Sequence, residues 1–69
     1  MSVSKIITLV GESSDSWVEA TKKVINEAQT TLRGITRIRI VEFDVRMKDT
    51  GEVDTFRVKA EVAFRVEGH

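Results

Sequence analysis

The sequence predicts an α+β fold of order β-α-β-β, a three-stranded antiparallel sheet partly wrapped around one helix. Three patterns carry that prediction. A short β-branched apolar run, "VSKIITLV", comes first. A stripe of apolar residues at three- and four-residue steps follows it. Two longer segments with a period of two come last, joined by a glycine-bearing turn. With 69 residues the chain is long enough for one domain, taken as residues 1–69.

The first strand is expected over Val3 to Val10, with Gly11 as its stop. The helix falls in "ESSDSWVEATKKVINEAQTTLRG". Ser13 is one candidate N-cap. Ser16 is the other, since Ser16 and Glu19 have the S-x-x-E spacing of a capping box. Trp17, Ala20, Val24, Ala28 and Leu32 make the core stripe, flanked by Val18, Thr21 and Ile25. Glu19–Lys23 and Lys23–Glu27 are opposite charges four residues apart, each pair adding roughly 0.2–0.5 kcal/mol. Gly34 marks the C-terminal stop. Gly11 and the serines after it suit capping; no G-x-G-x-x-G or Walker spacing points to a phosphate loop.

The second strand is expected from Ile35 to about Met47. Strict alternation puts Arg37, Arg39, Val41, Phe43, Val45 and Met47 on one face. Ile38, Ile40, Glu42, Asp44 and Arg46 take the other. The apolar side therefore switches between Ile40 and Val41. Either a bulge sits there or the two halves face different neighbours. "KDTGEVD", with Asp49, Thr50 and Gly51, is a turn. The last strand runs from about Val53 to Glu67. Phe56, Val58, Ala60, Val62, Phe64 and Val66 lie on an apolar face, and Arg57, Lys59, Glu61, Arg65 and Glu67 on a charged one. Phe43, Phe56 and Phe64 are expected in the core or an interface.

Length then argues for assembly. A strand of about 13 residues spans roughly 43 Å; a helix of about 20 spans roughly 30 Å. One helix cannot cover the apolar face of such a hairpin, and the overhang must pair with something. The expectation is a closed homo-oligomer, one half of the second strand under its own helix and the other against a neighbouring chain. Small size points the same way, because a chain this short buries only about 60% of its unfolded surface.

Composition narrows the chemistry. The absence of cysteine excludes disulfides, thiolate metal sites and cysteine nucleophiles, and His69, the one histidine, is expected to fray at the terminus. Eleven basic and eleven acidic residues cancel, which argues against a nucleic-acid partner, as does the lack of aromatics within "RGITRIR". No apolar run approaches membrane-spanning length, and "MSVSKIITLVGESS" lacks a signal-peptide layout, so a cytoplasmic location without membrane contact is expected.

Certain stretches, in this order and spacing, resemble the dodecin family. They are "KIITLVGESSDSW" between first strand and helix, "EAQTTLRGI" at the helix end and "FRVKAEVAFRVE" in the last strand. The resemblance spans nearly the whole chain. It implies a hollow homododecamer that binds flavins in stacked pairs between subunits and buffers or stores them without catalysis. Flavin-binding members carry a tryptophan at the position matching Arg37, whose indole stacks on the isoalloxazine. A glutamine matching Arg57 bonds the polar edge of the ring. Here "TRIRI" and "FRV" put arginine at both positions, and Trp17 lies in the first helical turn. The chain is thus similar to a divergent subclass without the stacking tryptophan. The implied function is binding and storage of a small ligand, flavin as FMN, riboflavin or FAD. The alternative is a dodecin-like shell that holds divalent cations or other anionic ligands, or is purely structural.

The candidate ligand residues are accordingly Arg37, Arg39 and Arg57. A guanidinium stacks on a flat ring, but its charge suits phosphate or carboxylate better. The other role open to these arginines is pairing with Glu42, Asp44, Glu61 or a neighbour's carboxylates to hold assembly geometry. Glu42 and Asp44 point the same way and, repeated around a symmetry axis, form a carboxylate ring able to hold Mg²⁺ or Ca²⁺; a solvated charged face is the other reading. No histidine, cysteine or serine–base arrangement accompanies them, so no enzymatic role is assigned.

Overall fold

The computed structural model describes residues 3–66. It contains β1 (Val3–Ser13), α1 (Trp17–Thr31), β2 (Ile35–Met47) and β3 (Val53–Val66). Both strand pairings are antiparallel and the sheet order is β1-β3-β2. This is the expected fold. The expected end of the last strand at Glu67 and the expected fraying of His69 lie outside the described residues.

β1 does not stop at Gly11. It runs on to Ser13, with Gly11 opposite Val58 and Ser13 opposite Phe56. The glycine is there for clearance. A Cβ on Gly11 would lie 2.5 Å from the Ala20 carbonyl oxygen and 2.5 Å from Val24 Cγ2. The helix sits directly on the β1 backbone, and small residues on both sides permit it. Ala20, Val24, Val58 and Ala60 form a core cluster, with Leu9, Ile38 and Ile40 packed around it. Because β3 is central it supplies three of the five fully buried residues, Val58, Ala60 and Val62, and α1 supplies Ala20 and Ala28.

α1 begins one turn later than the Ser13 alternative. Ser16 is the N-cap and its hydroxyl accepts from the Glu19 amide at 3.0 Å. Ser13 is buried, and its Oγ accepts from the amides of Asp15 at 2.9 Å and Ser16 at 3.4 Å, closing the link from strand to helix. At the far end Leu32 is the C-cap, ahead of the predicted stop. Gly34, at φ 71°, instead turns the chain into β2, and its carbonyl accepts from the Arg65 amide. The pairs expected through Lys23 are replaced. Lys22 pairs with Glu19 at 3.3 Å, while Lys23 Nζ donates to the Glu12 carbonyl oxygen in β1.

The phase switch in β2 is a bulge. Ile40 pairs with Ala60 and Glu42 with Lys59, leaving Val41 as the extra residue. The apolar residues of the two halves therefore share one side, and the bulge is the alternative that accounts for the switch. Ile38 and Ile40 before the bulge and Phe43 and Val45 after it all pair with helix-side residues of β3. Arg37, Arg39, Glu42, Asp44 and Arg46 share the outer side, again unlike strict alternation. Trp17 is no core residue either. Its indole packs edge-on to Phe56 at 5.1 Å and Phe43 at 6.2 Å, and Nε1 donates to the Asp44 carbonyl oxygen at 3.1 Å.

The domain extends 55 × 18 × 13 Å. The 15-residue helix covers about 22 Å, against roughly 46 Å for the 14 residues of β3. The mismatch is larger than the sequence predicts. It leaves Phe43 59% exposed, with Met47 and Val53 exposed beside it towards the hairpin end.

Candidate functional site

Strand register sorts the outer face of the sheet into rows. Moving along β3, the rows are Ile6–Ala63–Arg37, Thr8–Glu61–Arg39, Val10–Lys59–Glu42 and Glu12–Arg57–Asp44. In three of these rows the central β3 charge stands opposite a β2 charge of the other sign, Glu61 against Arg39, Lys59 against Glu42 and Arg57 against Asp44, and each of these pairs closes within its row. Arg39 Nη2 lies 3.0 Å from Glu61 Oε1. Lys59 lies 3.7 Å from Glu42. Arg57 grips Asp44 through Nε and Nη2, both at 3.0 Å. Arg46 reaches Glu12 at 3.9 Å.

The Arg57–Asp44 fork has the strongest geometry of these pairs. It holds the Arg57 guanidinium above its ordinary value, first through the hydrogen bond and then through the charge of Asp44. All partners in these four pairs keep at least 37% of the side chain exposed, so each contributes little to stability. Their effect is to hold the rows in register.

Arg37 breaks the pattern. Its row holds Ala63 and Ile6 and no acid. Among the described residues it has no carboxylate within 4.0 Å. Here the face opens into a cleft of about 420 Å³. Ile6 and Ala63 make its floor, Ser4 and Thr36 add hydroxyls, and Arg37 and the Arg39–Glu61 pair complete the lining. Ile6 is 62% exposed, an unusual place for a large apolar side chain.

The predicted site residues are thus divided. Arg37 and Arg39 meet at the cleft. Arg57 lies six residues along β3 from Ala63, about 20 Å away. One chain does not bring Arg37 and Arg57 together; a site using both takes them from two chains. Glu42 and Asp44 share the outer face as expected, and each carries its own cation. Among the described residues, no three acidic or histidine side chains are grouped to hold a metal ion.

Sequence reasoning missed Ser4, Ile6, Thr36 and Ala63. A signal for Ile6 was available. In "KIITLV" the residues on both sides of the strand are apolar, whereas a strand with one solvated face alternates. Ser13 and Ser16 are engaged in strand-to-helix and capping hydrogen bonds, as their sequence context suggests.

The chain was compared with known proteins. A family model described as Dodecin matches residues 3–67. Calcium dodecin from Mycobacterium tuberculosis is 33% identical over 66 residues, covering 96% of this chain and 92% of that one. Its crystal structure, described as that of a calcium-chelating antigen with a novel calcium-binding site, aligns with a TM-score of 0.81 at 31% identity over 94% of this chain and 91% of that one. A point mutant of the Thermus thermophilus dodecin aligns at 0.87 with 29% identity, over 99% and 100% of the two chains. The dodecin of Streptomyces davaonensis aligns at 0.85 with 25% identity, over 97% of each.

Proposed function

The chain belongs to the dodecin family, and from that premise we propose that it is a non-catalytic small-ligand store, a hollow homododecameric shell that holds its ligand against the outer sheet face. The observation that carries this reading is the cleft at Arg37, lined by apolar Ile6 and Ala63 and by a guanidinium that has no carboxylate partner among the described residues. The helix-free hairpin end, where Phe43, Met47 and Val53 are exposed, is the surface that assembly would cover.

The ligand proposed first is a flavin, in keeping with the family resemblance. The residues fit a phosphate-bearing flavin such as FMN better than a neutral one. Ile6 and Ala63 offer a flat apolar surface and Arg37 offers charge, but no aromatic side chain lines the cleft. Arg57 is tied to Asp44 and would have to be released before it could serve a ring edge.

A second reading is favoured by the carboxylates of Glu42 and Asp44 and by similarity to a calcium dodecin. On it, the shell stores a divalent cation, Ca²⁺ or Mg²⁺, at a site where carboxylates of several chains converge around a symmetry axis.

One experiment separates the readings. FMN and riboflavin are titrated by fluorescence into protein whose assembled mass has been set by light scattering, and melting is followed with Ca²⁺ and with EDTA. Quenching that saturates at a fixed ratio per subunit supports the flavin store. An intact assembly without quenching removes it, and a melting temperature raised by Ca²⁺ and lowered by EDTA then supports the cation store. A dispersed monomer removes the shell. Arg37→Trp with Arg57→Gln is expected to tighten riboflavin binding by restoring the stacking surface.

A further inference from the structure

We propose that the Arg37 end of the outer-face cleft is an oxyanion seat, which takes a phosphate or carboxylate group of the stored ligand on the Arg37 guanidinium. The inference rests on reading this cleft as the ligand site and states which chemical group the cleft selects.

On the outer face Arg39, Arg46, Arg57 and Lys59 each have a carboxylate at 3.0 to 3.9 Å, whereas among the described residues Arg37 and Arg65 have none, and of these two only Arg37 lines the cleft. Arg37 has Ala63 and Ile6 in its row. The Arg39–Glu61 pair cancels at the cleft wall, so among the described residues the cleft lining carries one uncompensated positive charge, at Arg37. A guanidinium presents a planar fork of N–H donors that matches two oxygens of one oxyanion. Its attraction is greater beside low-dielectric side chains than in open water, and Ile6 and Ala63 provide these.

The hydroxyls add direction. Thr36 Oγ1 donates to the Ala63 carbonyl oxygen at 3.3 Å, which holds that side chain at the cleft wall. Ser4, also at the wall, brings a hydroxyl able to donate to an anion. About 420 Å³ exceeds what a lone phosphate needs and leaves room for an organic body over the apolar floor. Glu61 sets the strength of the seat. It neutralises Arg39 and repels an arriving anion, so its removal turns one positive charge at the cleft into two.

The test uses inorganic phosphate and FMN as probes, with the assembled wild-type protein and the variants Arg37→Gln, Glu61→Gln and Arg33→Gln. Binding is read by calorimetry at low salt, where surface charge is least screened. Wild type is expected to bind phosphate, and Arg37→Gln to lower that affinity by about tenfold, the loss of one charge-assisted contact. Glu61→Gln is expected to raise it. Arg33→Gln removes the same charge at the helix end, outside the cleft, and is expected to change nothing. If FMN binds, it should bind more tightly than riboflavin, and Arg37→Gln should erase the difference. Arg37-dependent phosphate binding with no flavin binding would keep the seat and dismiss the flavin. Equal phosphate binding by wild type and Arg37→Gln, an equal loss in Arg33→Gln, or no phosphate binding by wild type would each overturn the proposal.

Discussion

The two faces of the sheet are built on opposite principles. The helix-side face is closed by small residues at close quarters. Gly11, Ala20, Ala28 and Ala60 let backbone approach backbone, and Val58 and Val62 fill the space left. The outer face is open, ruled by half-exposed ion pairs and interrupted by Ile6 and Val10, which stay exposed among the described residues. Stability is concentrated on the first face, and the proposed ligand site lies on the second. Close packing tolerates little change, whereas exposed ion pairs can exchange partners at small cost.

The largest effect should follow from closing the one gap in the inner face. Glycine to alanine in an extended segment ordinarily stabilises a fold, because it removes freedom from the unfolded chain. Gly11→Ala should do the reverse, since its Cβ meets the Ala20 carbonyl oxygen at 2.5 Å. The expected loss is about 3 kcal/mol, on the order of 15 °C in melting temperature for a domain of this size. A stabilised variant would show that the helix rides further from β1 than described.

Opening a hole in the same face should come next. Val62→Ala removes buried methyl groups from a side chain with no exposure. A loss of about 2 kcal/mol is expected from lost transfer energy and an unfilled cavity. Chemical unfolding would report it as a shifted midpoint with an unchanged slope.

The outer face should respond least. Asp44→Asn breaks the fork on Arg57, yet the expected loss is smaller than for either inner-face change and fades in high salt. Arg57 is held above its ordinary value, so its stabilisation is complete at every pH below the alkaline range where free arginine titrates. It is lost only as pH rises through the higher folded value. Titration across the neutral range should leave this contribution unchanged. A loss in Asp44→Asn equal to that of Val62→Ala would break the contrast between the faces.

Local pattern in the sequence was enough for element order and type. Period-two runs and a stripe at helical spacing record which way neighbouring side chains point, and that depends on the nearest few residues. The N-cap at Ser16 and the irregularity at Ile40–Val41 were legible for the same reason. The resemblance to dodecins was carried by short stretches in order, and the family match over residues 3–67 agrees with it.

What the local pattern left open depends on residues far apart in the chain. Gly11 looks like a stop until Ala20 and Val24 are laid over it. Trp17 belongs to the apolar stripe, yet the small-residue packing places its indole at the margin, against Phe43 and Phe56. Whether the bulge or a subunit boundary explained the phase switch was decided by the pairing of β2 with β3. That same register gathers the outer charges of β2 and β3 onto one face, gives Arg57 to Asp44, and sets Arg37 opposite Ala63 with no carboxylate partner among the described residues. Register is a relation between strands, set by bulges and turns together, and a one-residue shift exchanges every partner. The sequence supplied the charges; the folded sheet decided which of them remained unpaired.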